Sequence, residues 1–226
     1  MVGDEYQKFM ALDEEKRERI LNAAMSEFQA GYKRASTDNI VREAGISKGL
    51  LFHYFGTKEK LYDFLLDYAI DTMQADFIDL VNTHQQDILD SIWQLSLLKQ
   101  DLSRRYPRIF EFMARVYVDD KDSPAKEHLE RFLQIRANVL RDVYAQCDHS
   151  LFREDIPPEK VIGIINMTMD GFAQQKLNEV EKDGIGEAMR ENYDVYLTEL
   201  KECLDILRKV FYKQAGSAPF IKEDTT

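Results

Sequence analysis

Apolar side chains recur at helical spacing along almost the whole of this chain. Between residues 13 and 30, Ile20, Leu21, Ala24, Met25 and Phe28 form one stripe, which predicts an amphipathic helix. Asp13 suits its cap, Glu14 and Glu15 suit the positive end of its dipole, and Gly31 suits its end. A longer pattern over 58–81 places Leu61, Phe64, Leu65, Tyr68 and Thr72 on one face. Further helices are predicted over 87–103, 107–118, 124–147, 158–183 and 186–213, separated by turn-forming stretches at 83–86, 119–123 and 148–157. Pro107, Pro124 and Pro158 fall in first-turn positions, where a missing amide costs little. No segment alternates as a strand would. The expectation is an all-α fold of about nine helices, with residues 1–12 as a loose arm or frayed extension and 216–226 as a disordered tail.

The last of these patterns has a distinct spacing. Tyr193, Leu197, Leu200, Leu204, Leu207 and Phe211 follow one another at steps of 4, 3, 4, 3 and 4. That is an a/d seam sustained over nearly three heptads. The preceding helix carries Gly163 and Gly171 eight residues apart, which permits close helix approach. Two readings fit: packing inside one subunit, or a two-fold interface in which two helices per subunit make a four-helix bundle.

The densest signal lies between Ser36 and Leu61, STDNIVREAGISKGLLFHYFGTKEKL. Ser36 or Thr37 can cap a helix over 37–44 whose apolar face is Ile40, Val41 and Ala44. Gly45 follows where the backbone needs positive φ, and Ser47 can cap a second helix over 48–55. Leu51 and Phe55, four apart, turn inward together, which leaves Lys48, Gly49, Leu50, Phe52, His53 and Tyr54 toward solvent or a partner. Thr57 then caps the helix that begins at Lys58. Two short helices across a tight turn, the second with a polar and aromatic outer face, place a helix in the DNA major groove.

Net charge tests that reading. The 226 residues carry −11 overall, which argues against nucleic acid until the distribution is considered. Residues 1–60 balance at ten basic and ten acidic, so the whole excess lies in 61–226. Within 31–60, Lys33, Arg34, Arg42, Lys48, Lys58 and Lys60 outnumber Asp38, Glu43 and Glu59, a local balance of +3. Phosphate attraction decays over ~8 Å at physiological salt, so the nearby charges decide.

Residues 19–65 resemble the TetR family of bacterial transcriptional regulators. The likeness runs through the ILNAAMSEF helix, Gly31-Tyr32, the S-T-x-x-I-x-x-x-A-G-I-S turn, KGLLFHYF and T-K-E-x-L. It implies an N-terminal three-helix DNA-binding domain over 1–57 and a helical effector-binding and dimerisation domain over 58–215. It also implies a cytoplasmic homodimer on a palindromic double-stranded DNA operator, most simply a repressor released by a small-molecule effector; an activator of the same fold is the alternative. The resemblance favours the intersubunit reading of Gly163, Gly171 and the seam from Tyr193 to Phe211. Leu50 stands where the family often has a small hydroxyl residue and Phe52 where it often has Tyr.

On that footing Thr37, Tyr54 and Lys58 are expected at phosphates, Lys48 and His53 at base edges, and Ser36 is counted with them in the DNA-binding set. Leu50 and Phe52 suit thymine methyls, and Gly49 lets the backbone come close. An effector pocket is sought among Trp93, Phe110, Met113, Tyr117, His128, Phe132, Asn166, Met167 and Asp170, an apolar set with a few polar groups. Such residues at helical spacing also suit plain core.

Other function classes find no support. There is no P-loop, dinucleotide fingerprint or nucleophile elbow, and His84, His128 and His149 stand isolated. Cys147 and Cys203 lack the spacing of a metal site or disulfide framework. No cofactor, metal or catalysis is expected. No run of eighteen apolar residues and no hydrophobic leader is present, so neither a membrane span nor export is expected. A helical protein-interaction adaptor is the remaining rival. It explains neither the local basic balance nor the two caps around Gly45.

Overall fold

Eleven α-helices account for nearly all of the described chain, residues 6–81, 87–118, 124–179 and 185–213 of this computed structural model. They are α1 (Gln7–Met10), α2 (Glu14–Phe28), α3 (Thr37–Ala44), α4 (Lys48–Phe55), α5 (Lys58–Val81), α6 (Ile88–Arg105), α7 (Pro107–Val118), α8 (Lys126–Ala145), α9 (Pro158–Asn178), α10 (Ile185–Glu191) and α11 (Tyr193–Phe211). Among the described residues there is no strand, only an isolated bridge between Phe152 and Tyr212. The tail at 216–226 lies outside them.

Capping chemistry sets the helix starts. The Asp13 carboxylate accepts the Lys16 N–H at 2.9 Å, and the Thr57 hydroxyl oxygen accepts the Lys60 N–H at 3.1 Å. Asp87 accepts the N–H groups of Leu89 and Asp90 at the head of α6. The same carboxylate receives the Tyr212 hydroxyl at 2.8 Å and Arg208 at 2.7 Å, so one acid both starts α6 and anchors the end of α11. Pro107 and Pro158 are first helical residues. The pattern over 186–213 is not one helix: it breaks at Asn192, which separates α10 from α11.

Two hydrophobic clusters hold the molecule. The first runs from Phe9 through α2, α3, α4 and the first half of α5, and continues into α7 through Ile109, Phe112, Met113 and Val116. Its aromatic pairs bridge these parts, with Tyr62 edge-on to Phe112 at 5.7 Å. The core therefore does not stop at residue 57; the N-terminal helices share it with α7. The second cluster gathers Ile88, Leu89 and Ile92 of α6, Val161 and Ile165 of α9, Phe152, and the inner face of α11.

A buried carboxylate marks the junction between the N-terminal helices and the body. Glu111 of α7 accepts Gln29 at 3.0 Å and Arg108 at 3.1 Å on one oxygen, and Arg190 of α10 at 3.1 Å on the other. A charge this well buried persists only when its oxygens are occupied by donors, as here.

The seam on α11 faces inward. Leu200, Leu204, Leu207 and Phe211 are core residues of the second cluster, Leu197 is also buried, and the Tyr193 hydroxyl donates to the Ser96 carbonyl at 3.2 Å. This corrects the assignment of these six residues to a two-fold interface: they pack within one subunit. The heptad spacing recorded burial against α6 and α9. What α11 turns outward is another stripe, Val195, Ile206 and Val210, matched on neighbouring α9 by Ile164 and Met167. Gly171 lies exposed beside Met167 on α9, and Gly163 is half-buried with open space around it.

Candidate nucleic-acid interface

The turn between α3 and α4 is built locally. Gly45 ends α3 at φ +66°, the left-handed region that a side chain resists, and the Ile46 N–H returns to the Val41 carbonyl at 3.0 Å. Ser47 then accepts the Leu50 N–H at 3.2 Å and starts α4. Ile40 and Ala44 of α3 and Leu51 and Phe55 of α4 are buried together in the first cluster, which fixes the angle between the helices.

The start of α3 differs from the expected arrangement. Ser36 occupies the cap position, but its side chain makes no cap bond. Glu27 of α2 ties down this start instead, accepting the Ser36 backbone N–H at 2.8 Å and the side-chain amide of Asn39 at 3.1 Å. An acid nine residues upstream leaves no local sequence signal. Thr37 is the first residue of α3 and stays partly accessible.

The six residues expected to face outward on α4 divide into two groups. Lys48, Gly49 and His53 are exposed, whereas Leu50, Phe52 and Tyr54 are half-buried. Lys48 is paired with Asp38 of α3 at 2.8 Å, with both side chains more than half exposed. Such a pair contributes ~0–1 kcal/mol, so an incoming phosphate can replace the carboxylate at little cost. A methyl group added at Gly49 meets nothing within 4 Å, so the backbone there is open to close approach. Tyr54 packs edge-on against Phe9 at 5.7 Å and against His53 at 5.4 Å.

Lys58 is not the freely swinging cation expected from the sequence. Its ammonium donates to the Ala35 carbonyl at 2.6 Å and lies 4.7 Å over the Tyr32 ring. Burial pushes it below its ordinary pKa, and the Glu27 carboxylate pulls the other way. It staples the start of α5 to the link between α2 and α3.

The residues expected at an effector pocket are spread over both clusters and the surface. Met113 belongs to the first cluster, Phe132 packs against it, and Trp93 borders the second. Phe110 meets Tyr193 at 6.3 Å. His128 faces Asp63 and Asp67 of α5 at 3.5 and 3.2 Å. Asn166 is half-buried, Tyr117 and Asp170 are exposed, and Met167 is 68% exposed on α9, which removes it from any interior lining. Among the described residues no group of His, Cys, Asp and Glu is placed to hold a metal, and no helix is long and apolar enough to cross a membrane.

Comparison with known proteins bears on the same segment. Residues 20–64 match the family of bacterial regulatory proteins, tetR family. The HTH-type transcriptional regulator HbdR of Aromatoleum sp. (strain CIB) is 36% identical over 66 residues, 29% of this chain and 29% of that protein. The nucleoid occlusion factor SlmA of Edwardsiella ictaluri (strain 93-146) is 27% identical over 100 residues, 43% of this chain and 50% of that protein. The chain thus matches half or less of the length of both relatives. Over the whole fold, a TetR-family transcriptional regulator from Rhodococcus sp. superposes with a TM-score of 0.60 at 16% identity, covering 86% of this chain and 99% of the other.

Proposed function

We propose that this chain, a DNA-binding transcriptional regulator of the tetR family, acts as a homodimeric repressor whose two α4 helices read half-sites of a palindromic operator. The observation that carries this reading is α4 itself. It is buried on one face by Leu51 and Phe55 and open on the other at Lys48, Gly49 and His53, within residues 31–60, where the local charge of an acidic chain is positive. Thr37 and Tyr54 supply hydroxyls for phosphates, and Lys48 can exchange Asp38 for a phosphate or a guanine edge. Ser36 contributes its backbone rather than its side chain, and Lys58 acts by holding α5 against the helix-turn-helix.

Dimerisation is supported by the outward stripes of α9 and α11, where Ile164, Met167, Val195, Ile206 and Val210 leave apolar surface on neighbouring helices. A second copy related by a two-fold axis would cover them and hold the two α4 helices about one DNA turn apart, ~34 Å. A small molecule in the body relieves repression by favouring a conformer with a different separation. The shift is limited to its differential affinity for the two conformers. The path to α4 runs through the first cluster, because α7 packs directly on the N-terminal helices and Glu111 joins α7, α10 and Gln29.

A mobility-shift assay on DNA flanking the chain's own gene tests the reading. Tyr54→Ala or Lys48→Ala in a folded dimer should measurably weaken the shift. Normal binding by both variants refutes the contact assignment.

A further inference from the structure

We infer that residues 6–12, which precede the family-matched segment, are a positioning element of the DNA-reading head that acts through Tyr54. The inference rests on the proposed role of Tyr54 at a phosphate. The segment is short, but Phe9 belongs to the first cluster at 0% exposed, and Tyr6, Met10 and Leu12 pack against that cluster. The Phe9 ring lies 4.8 Å from Phe55, the inward residue of α4, and edge-on to Phe64 of α5 at 5.3 Å. It thus fills the angle between the recognition helix and the long helix that leads into the body. Its third ring partner is Tyr54, edge-on at 5.7 Å.

The segment is fastened at both ends. Tyr6 meets Phe64 at 4.7 Å and Phe55 at 5.9 Å, and its hydroxyl reaches the Lys60 carbonyl at 3.4 Å. At its other end, Arg17 of α2 donates to the carbonyls of Met10 and Leu12 at 3.0 and 3.3 Å. A plug held at two points and wedged behind α4 restricts the Tyr54 ring before DNA arrives. A phenol already held in its bound orientation loses less conformational freedom on contact than a swinging one. Phe9 touches no DNA in this arrangement; it sets where Tyr54 points.

A double-mutant cycle on operator binding separates this role from general support of the fold. The probe is the duplex that the full-length protein selects from a random pool, titrated by fluorescence anisotropy. Phe9→Leu keeps apolar volume but removes the ring edge, and Phe9→Ala removes both; the former guards against a variant that does not fold. Phe9→Leu should weaken binding by about tenfold with Tyr54 present and less than twofold in the Tyr54→Ala background, a coupling within the range seen for residues in contact. Equal factors in the two backgrounds, or no weakening by either Phe9 variant, overturn the inference while leaving Tyr54 as a contact. Unchanged binding by Tyr54→Ala alone overturns the contact itself, and the inference with it.

Discussion

Replacing Gly49 by alanine should make this protein more stable and worse at binding DNA. Gly49 is the second residue of α4, and a Cβ built there meets nothing within 4 Å. No internal clash opposes the substitution. Glycine within a helix is less stable than alanine by roughly 0.5–1 kcal/mol, because the unfolded chain has more freedom to lose. So close to the helix start the lower figure applies, about 0.5 kcal/mol per copy. For a chain of this size that corresponds to a Tm rise of ~1–2 °C. The same methyl group stands on the face proposed to meet the groove. Forcing an extra methyl group into a packed contact costs ~1–3 kcal/mol, and a dimer carries two, so affinity should fall by ~30-fold or more. Thermal unfolding followed by circular dichroism and an anisotropy titration on the same samples give the two numbers. A protein that is stabilised and still binds with wild-type affinity would show that no DNA approaches this backbone. A loss of stability would mean that the space around Gly49 is not open. Gly45 is the control: its φ of +66° makes alanine there strained by ~1–2 kcal/mol, so Gly45→Ala should lower the Tm although it too meets nothing within 4 Å.

Other consequences follow from the same geometry. Met167→Glu combined with Ile206→Glu, at sites 68% and 60% exposed, should leave each subunit folded and halve the mass seen by light scattering; an unchanged dimer would refute the assignment of these stripes. Leu204→Ala, at a site 0% exposed, should instead destabilise the fold by ~2–5 kcal/mol in the same thermal assay, because it opens a cavity within one subunit. The hydroxyls of Tyr193 and Tyr212 are pushed far above the ordinary tyrosine range, chiefly by burial, and for Tyr212 the Asp87 carboxylate adds to the effect. A group whose folded pKa is raised favours folding fully below its unfolded pKa, so this contribution should hold below about pH 10 and fade above it. Ultraviolet titration should then show Tyr193 and Tyr212 among those of the eleven tyrosines that ionise only as the protein unfolds.

Much of this architecture was readable because its signals are local. Asp13, Ser47, Thr57 and Asp87 cap the helices that their residue types announce, and Gly45 marks the turn by the one backbone conformation it alone adopts easily. What escaped depends on partners distant in sequence. Periodicity on α11 identified a buried face, but burial against α6 and α9 produces the same spacing as burial against a second copy. Phe9 sits in a helix of four residues, too short to show a period, and its burial comes from Phe55 and Phe64. Lys58 has an ordinary lysine context until Tyr32 and Ala35 fold beneath it. The aromatic and methionine residues of the middle helices were grouped by type. The fold distributes them over two cores and the surface, because an apolar side chain in a helix states only that it is covered, and not by what.

Selection of bound sequences from a random duplex pool, followed by guanine N7 protection on the recovered duplex, addresses α4 most directly. The expected product is an inverted repeat with half-sites about one helical turn apart, protected in the major groove. That protection should be lost with Lys48→Ala. Enrichment of no sequence, or a site whose protection is indifferent to Lys48, Gly49 and Tyr54 substitutions alike, would contradict the placement of this helix in DNA.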